Sequence, residues 1–180
     1  MLRLSRLIAV AISALAVTGC ASMNVSSHVE RSIDFGQYRT YDWGPADALP
    51  TGDARLDQNP FFKDHVQGSV EKQLAAKGFE RAASGTPDLL IHYHANISQR
   101  IDVNGVDREY GYCYDNCEPR VIEYEAGTLV LDIVDTRTNK VIWRGWAQDS
   151  VEDVLGNPDR MERQINEGVT RMLERLPRGF

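Results

Sequence analysis

The spacing of apolar and polar positions along this chain predicts two strands, a helix, three strands and a second helix, preceded by a short uncharged run. Residues Asn24 to Val29 and Tyr38 to Trp43 read as strands, the second with Tyr41 and Trp43 on one face and Thr40 and Asp42 on the other. Gly44-Pro45 stops it, and a polar loop runs to Asn59. Asn59 offers an N-cap side chain and Pro60 fits the first helical position, where its missing N–H costs nothing. Phe62, Val66, Val70 and Leu74 then recur every four residues as far as Gly78, a C-terminal stop. The expectation is one amphipathic helix over Pro60 to Lys77.

Pro87 opens the next strand, Asp88 to Ile97, which places Leu89, Ile91, Tyr93, Ala95 and Ile97 on one face and Leu90, His92, His94 and Asn96 on the other. Gln99 to Ala126 reads as a long connection, a type of segment often used for function. A hairpin follows, with Thr128 to Val134 and Lys140 to Ala147 joined by a turn through Asp135 to Asn139. Beyond an acidic loop, Asn157-Pro158 opens a helix whose apolar face is Met161, Ile165, Val169, Met172, Leu173 and Leu176, and Pro177 ends it. Single-faced helices and a hairpin predict an α+β domain: a mainly antiparallel sheet with two amphipathic helices packed on one face.

The uncharged run is Leu7 to Val17, 11 residues long, too short for a bilayer that needs about 20. Arg3 and Arg6 precede it and small residues follow, the pattern of an export signal. Val17-Thr18-Gly19-Cys20 resembles a lipobox, which implies cleavage before Cys20, a diacylglycerol thioether on its sulfur and an amide-linked acyl chain such as palmitate on its nitrogen. The alternative is an ordinary secretory signal with a chance cysteine. Two or more acyl chains hold a protein at a membrane stably, since each buried methylene contributes about 0.8 kcal/mol. Ala21 and Ser22 lack the aspartate associated with inner-membrane retention, so the expected location is the periplasmic face of the outer membrane. The expected organisation is a signal over residues 1–19, a lipidated cysteine and short tether over 20–23, and one domain over 24–180.

Loss of Arg3 and Arg6 with the signal takes the formal net charge from −6 to −8. An acidic body of this kind argues against nucleic acid and against a polybasic grip on anionic lipid. The membrane contact is expected through the lipid alone.

Cys113 and Cys117 sit among the turn formers of Tyr110-Gly111-Tyr112-Cys113-Tyr114-Asp115-Asn116-Cys117. In an exported chain a disulfide is the expected state, and a ring this small would contribute only about 2 kcal/mol, pinning a loop more than a fold. Redox work normally uses two intervening residues at a helix start, and a metal would need two further ligands; both stay open as alternatives. Tyr110, Tyr112, Tyr114 and Tyr124 around this loop form the candidate partner surface, because a tyrosine ring contributes large contact area at low entropy cost.

His92 and His94 share a strand face, a spacing that metals exploit, with Asp132 as a further candidate ligand. The plainer reading is two polar residues on a solvent-facing strand. Asp132 and Asp135 are an odd number of positions apart and should face opposite ways, as should Trp143 and Trp146. Asp149, Glu152, Asp153 and Asp159 lack the alternate-residue pattern of a calcium loop. There is no Gly-x-Ser-x-Gly, His-Glu-x-x-His, phosphate-binding glycine loop or Cys-x-x-Cys. No catalytic residue, metal or cofactor is expected.

Asp34-Phe35, Tyr38, Thr40-Tyr41 and Trp43, then Pro87-Asp88-Leu89-Leu90, then Gly127-Thr128-Leu129-Val130 with Asp132, Asp135 and Trp143-Arg144-Gly145, together resemble the lipoprotein family catalogued as domain of unknown function 4136. The resemblance spans nearly all of the mature chain. It implies an exported, lipid-anchored α+β domain without an established activity. The functional expectation is a non-enzymatic interaction or accessory module of the envelope that contacts another envelope protein. A binding protein for a small or lipidic ligand held between sheet and helices is the alternative, and a hydrolase or metal enzyme using His92 and His94 comes third.

Overall fold

The computed structural model describes residues 23–45, 52–102 and 122–179. Period-two alternation builds six strands: β1 (Asn24–Val29), β2 (Thr40–Trp43), β3 (Glu80–Arg81), β4 (Leu89–Asp102), β5 (Ile122–Asp135) and β6 (Lys140–Ser150). They form one sheet in the order β1-β6-β5-β4-β2-β3. Three helices accompany it: the short α1 (Ala54–Asp57), then α2 (Pro60–Ala76) and α3 (Pro158–Leu173).

Both long helices start where an Asn-Pro pair starts them. The Asn59 side chain accepts from Phe61 N at 3.0 Å and Phe62 N at 3.2 Å, and Asn157 accepts from Arg160 N at 3.1 Å. Two amides that the helix leaves without partners are thereby satisfied at α2 and one at α3. After α2 the chain turns through Gly78 at φ 91°, a conformation that suits glycine, and Phe79 N bonds back to Leu74 O at 3.0 Å.

The two helices run side by side in the same direction. Asn59 reaches Met161 near their starts, Gln73 Nε2 donates to Thr170 Oγ1 at 2.9 Å midway, and Lys77 Nζ donates to Leu176 O at 2.8 Å near their ends. Their apolar stripes, Val66, Val70 and Leu74 on α2 with Val169, Met172 and Leu173 on α3, share one core with Leu89, Ile91, Leu131, Ile133 and Trp143 of the sheet. The expected arrangement of two helices on one sheet face holds.

The strand directions differ from expectation. β1, β6, β5 and β4 are antiparallel in succession, but β2 runs parallel to both β4 and β3, so the sheet is mixed. The reason lies in the connection: the chain leaves β2, crosses over through α2 and returns in the original direction. Alternation reports which face a residue takes and is silent on the direction of the neighbouring strand.

Strand lengths also differ. β4 continues to Asp102 and β5 begins at Ile122, with Gln99↔Glu125 and Asp102↔Ile122 in register, so the connection is shorter than Gln99 to Ala126. Ile122, Tyr124 and Ala126 alternate with Glu123 and Glu125, a short strand signal at the edge of a stretch rich in turn formers, and ladder pairing with β4 holds it. The polar loop after Gly44 contains α1, started by Asp53, whose side chain accepts from Arg55 N at 2.8 Å. β2 begins at Thr40 rather than Tyr38, because Asp34 caps a single 3-10 turn over Phe35–Gln37 just before it.

Candidate functional site

The face of the sheet away from the helices carries the histidines. His92 and His94 share it with Asp132 and Arg144, as their register pairs show: His92↔Asp132 and Asp132↔Arg144. Asp132 is 4% exposed, and Arg144 grips both its oxygens, Nε to Oδ1 and an Nη to Oδ2, each at 2.6 Å. This two-pronged geometry is the strongest that arginine and a carboxylate make. The histidines diverge. His94 leans toward Asp132, its Nε2 at 3.9 Å from Oδ2, whereas the His92 ring lies against Gly44, where a Cβ would collide with it. Burial lowers the His94 pKa below the ordinary histidine value, against the opposing pull of Asp132. The two rings therefore do not converge on one point, and the carboxylate between them already has its partner. Among the described residues no group of three or more His, Cys, Asp or Glu is placed to hold a metal ion.

Asp135 faces the opposite way, as the odd spacing predicts, and is 2% exposed. Its Oδ2 accepts from Tyr38 Oη at 3.2 Å and its Oδ1 from Arg137 N at 2.9 Å. Burial works to raise its pKa, but these hydrogen bonds, one from Thr138 and the Arg137 charge more than offset it and hold the carboxyl below its ordinary value. Asp88 Oδ2 accepts from Arg39 N and Thr40 N at 2.9 Å each and from Thr40 Oγ1 at 3.0 Å, and the two backbone bonds lower its pKa. Trp143 is fully buried, with its ring on Gly145, and Trp146 lies half-buried on the other face. Asp34, Tyr38, Asp88, Asp132, Asp135, Trp143 and Arg144 thus stitch strands, turns and the hairpin together. Their chemistry is structural.

Tyr124 sits within β5 opposite Arg100, half-buried, and so belongs to a strand rather than to the loop assigned from sequence. Cys20, Tyr110, Tyr112, Cys113, Tyr114 and Cys117 lie outside the described residues. In the acidic loop Asp153 adopts φ 59° and faces Arg160 at 3.6 Å, while Asp159 occupies the first turn of α3.

A cavity lies between the sheet and the helices, where the alternative reading of the sequence places a ligand, though the apolar pattern does not mark the space. It has a volume of about 80 Å³ and is lined by Met23, Leu56, Phe62, Val154, Met161 and Ile165 among others. Four small residues, Ala95, Gly127, Ala147 and Gly168, also border it, and the volume they leave unfilled is the space. Gly168 lets α3 approach β6 closely, since a Cβ there would lie 3.3 Å from Ala147 Cβ. Gly127 leaves room for Val151 to fold over the strand. The polar residues on the lining are Asn96, Thr128, Gln148, Asp149 and Gln164, with no cation among them. Gln148 donates to Thr128 at 2.8 Å and Gln164 to Ser150 O at 2.8 Å, so two rim amides are held in place. The small residues were the available signal, and a two-letter apolar code reads Ala as filled.

A second hollow, of about 310 Å³, lies between the end of β2 and α2 and is polar, with Lys63, Gln67, Arg81 and His92 on its walls. Arg81 there already pairs with Glu71 and Asp42, each at 3.2 Å.

A six-stranded mixed sheet with helices on one face, structural carboxylates and one apolar cavity defines an α/β domain without a recognisable catalytic constellation among the described residues. The chain belongs to the family described as Domain of unknown function (DUF4136), whose profile matches residues 25–178. Two similar solved structures share the fold, and a third bears a likeness. A PDZ domain protein from Parabacteroides distasonis is 18% identical, with a TM-score of 0.56 over 86% of this chain; this chain spans 36% of that protein. A DUF4136 family protein from Bacteroides thetaiotaomicron is 12% identical with a TM-score of 0.50, covering 83% of this chain and 95% of its own. PelC from Paraburkholderia phytofirmans, described as a dodecamer, is 11% identical with a TM-score of 0.46, covering 84% of this chain and 94% of its own. No curated protein matches the chain.

Proposed function

We propose that this protein is a lipid-anchored, non-enzymatic module of the bacterial envelope, held through Cys20 on the periplasmic face of the outer membrane and contacting another envelope protein. The observation that carries this reading is the Leu7 to Val17 run ending in Val17-Thr18-Gly19-Cys20, only four residues before β1 begins at Asn24. So short a tether keeps the domain at the membrane surface. Asp132 is held by Arg144 and the histidines diverge, which weighs against a metal hydrolase. The helix-free sheet face, with half-buried His92, His94 and Trp146 and exposed Arg144, and the Tyr110 to Cys117 segment are the surfaces offered to a partner.

Cross-linking in intact cells with mass spectrometry, comparing the native chain with Cys20→Ser exported as a soluble protein, tests the reading. A specific neighbour captured only with the anchor supports it, and the absence of any reproducible neighbour sinks it. The cavity favours a second reading, a binding protein for a lipidic ligand. Alkyl chains co-purifying with the domain would support that one.

A further inference from the structure

We infer that the cavity between sheet and helices seats the end of an acyl chain carried by the protein's own Cys20. This rests on the lipid-anchor reading above and names what that anchor does besides holding the membrane. The cavity lies where the tether enters the fold. Met23 is on its wall, its side chain beside Gly168, with the sulfur 3.6 Å from where a Cβ there would lie. Cys20 is three residues upstream, so the acylated position stands within about 11 Å of Met23. An acyl chain is roughly as long as one leaflet of the hydrocarbon core, about 15 Å, which is enough to bridge that distance.

Size and chemistry select the occupant. A cavity of about 80 Å³ is roughly half of the ~150 Å³ that holds a benzene ring, so it takes the last few carbons of a narrow chain. No Lys or Arg lines it and Asp149 does. A free fatty acid would bring a carboxylate to this rim with no counter-charge, which is costly. An amide-linked chain brings none. The diacylglycerol thioether supplies two chains that keep the protein in the bilayer, leaving the amide-linked chain to dock. An alkyl chain is equally apolar in bilayer and cavity, so the consequence of docking is orientation: the end of the domain bearing Met23, the starts of both long helices and the exposed Phe61 and Ile101 faces the membrane.

The methionines provide the readout. Of those beyond the signal, Met23 and Met161 line the cavity, while Met172 is fully buried away from it. The experiment records ¹³C-methyl methionine NMR spectra of the mature acylated protein in nanodiscs of phosphatidylethanolamine and phosphatidylglycerol, and of the mature Cys20→Ser chain with the same nanodiscs. The expected result is a displaced Met161 signal in the acylated form only, with Met172 unmoved, and loss of that displacement in acylated Val154→Trp, whose indole fills the cavity. Displacement in the Cys20→Ser chain as well would mean that a bilayer lipid occupies the cavity, and would overturn the proposal. An unmoved Met161 in protein whose intact mass confirms acylated Cys20 would overturn it too, leaving the anchored module standing. An unacylated mass would remove both.

Discussion

The two ends of the core are built on the same alternation and packed to different densities. At the hairpin end, Leu89, Ile91, Ile133 and Trp143 on the sheet meet Leu74, Met172 and Leu173 from the helix ends, all 2% exposed or less. At the end that bears Met23 the corresponding sheet positions are Ala95, Gly127 and Ala147, faced by Gly168, and about 80 Å³ stays unfilled. Protein interiors normally pack as tightly as organic crystals, so an apolar void costs contacts on every wall. Among the described residues, a fold that fills one end of the core and leaves the other open places an apolar void beside Met23. The difference shows that a continuous apolar face and a continuous filled core are separate properties.

The largest expected effect breaks the packed end. Trp143→Ala removes a fully buried indole seated on Gly145 and should cost about 3–5 kcal/mol, read as a lower urea midpoint. Next comes the polar stitch on the opposite face: Arg144→Met leaves the buried Asp132 carboxylate without its two charged donors and should cost about 1–3 kcal/mol, with the midpoint again as the measure. Were Arg144→Met neutral, the pair would be ornamental and the outer face free for other chemistry.

Below about pH 4 acid should act on the hairpin end, where Asp88 and Asp135 hold their protons less tightly than in the unfolded chain. A depressed folded pKa adds stability that is complete above the unfolded value, about 3.9, and disappears as pH falls through the folded one. The double variant Asp88→Asn, Asp135→Asn should flatten urea midpoints below about pH 4. His94, lowered by burial, works at a higher pH: the unfolded chain takes up its proton first, so stability declines as pH falls below about 6.5, and His94→Gln should remove that slope.

Filling the open end should move stability the other way. Ala95→Val adds two methyl groups at the cavity wall of a strand that favours β-branching and should gain about 1 kcal/mol, seen as a raised Tm of the unacylated chain. The smallest effect is Gly168→Ala. Helix propensity favours it by up to about 1 kcal/mol, but the new Cβ would stand 3.3 Å from Ala147, so the net change in Tm should be close to zero.

Much of this architecture was legible. Both Asn-Pro starts, the Gly78 stop, the hairpin and the opposed faces of Asp132 and Asp135 follow from local stereochemistry and residue parity, which act over a few neighbouring positions. The parallel pairing of β2 did not, because direction depends on where the crossover through α2 returns. The ends of β4 and β5 fall inside the stretch that the sequence assigns to a connection, because turn formers dominate it, although Ile122, Tyr124 and Ala126 alternate with Glu123 and Glu125 and the backbones pair in register. Among the candidate site residues, His92 and His94 were placed on the right face, yet their divergence toward Gly44 and Asp132 is a matter of neighbours on other strands.

By itself, then, the sequence determined the family, the two long helices, the face each strand residue takes and the lipobox-like stretch at Cys20, since each of these is written in short-range pattern. Tertiary structure alone decided the mixed sheet, the capture of Asp132 by Arg144 and the walls of the cavity beside Met23. Those features depend on volumes and directions summed across segments far apart in the chain: Met23, Ala95, Ala147 and Gly168 border one space only because β1, β4, β6 and α3 meet there.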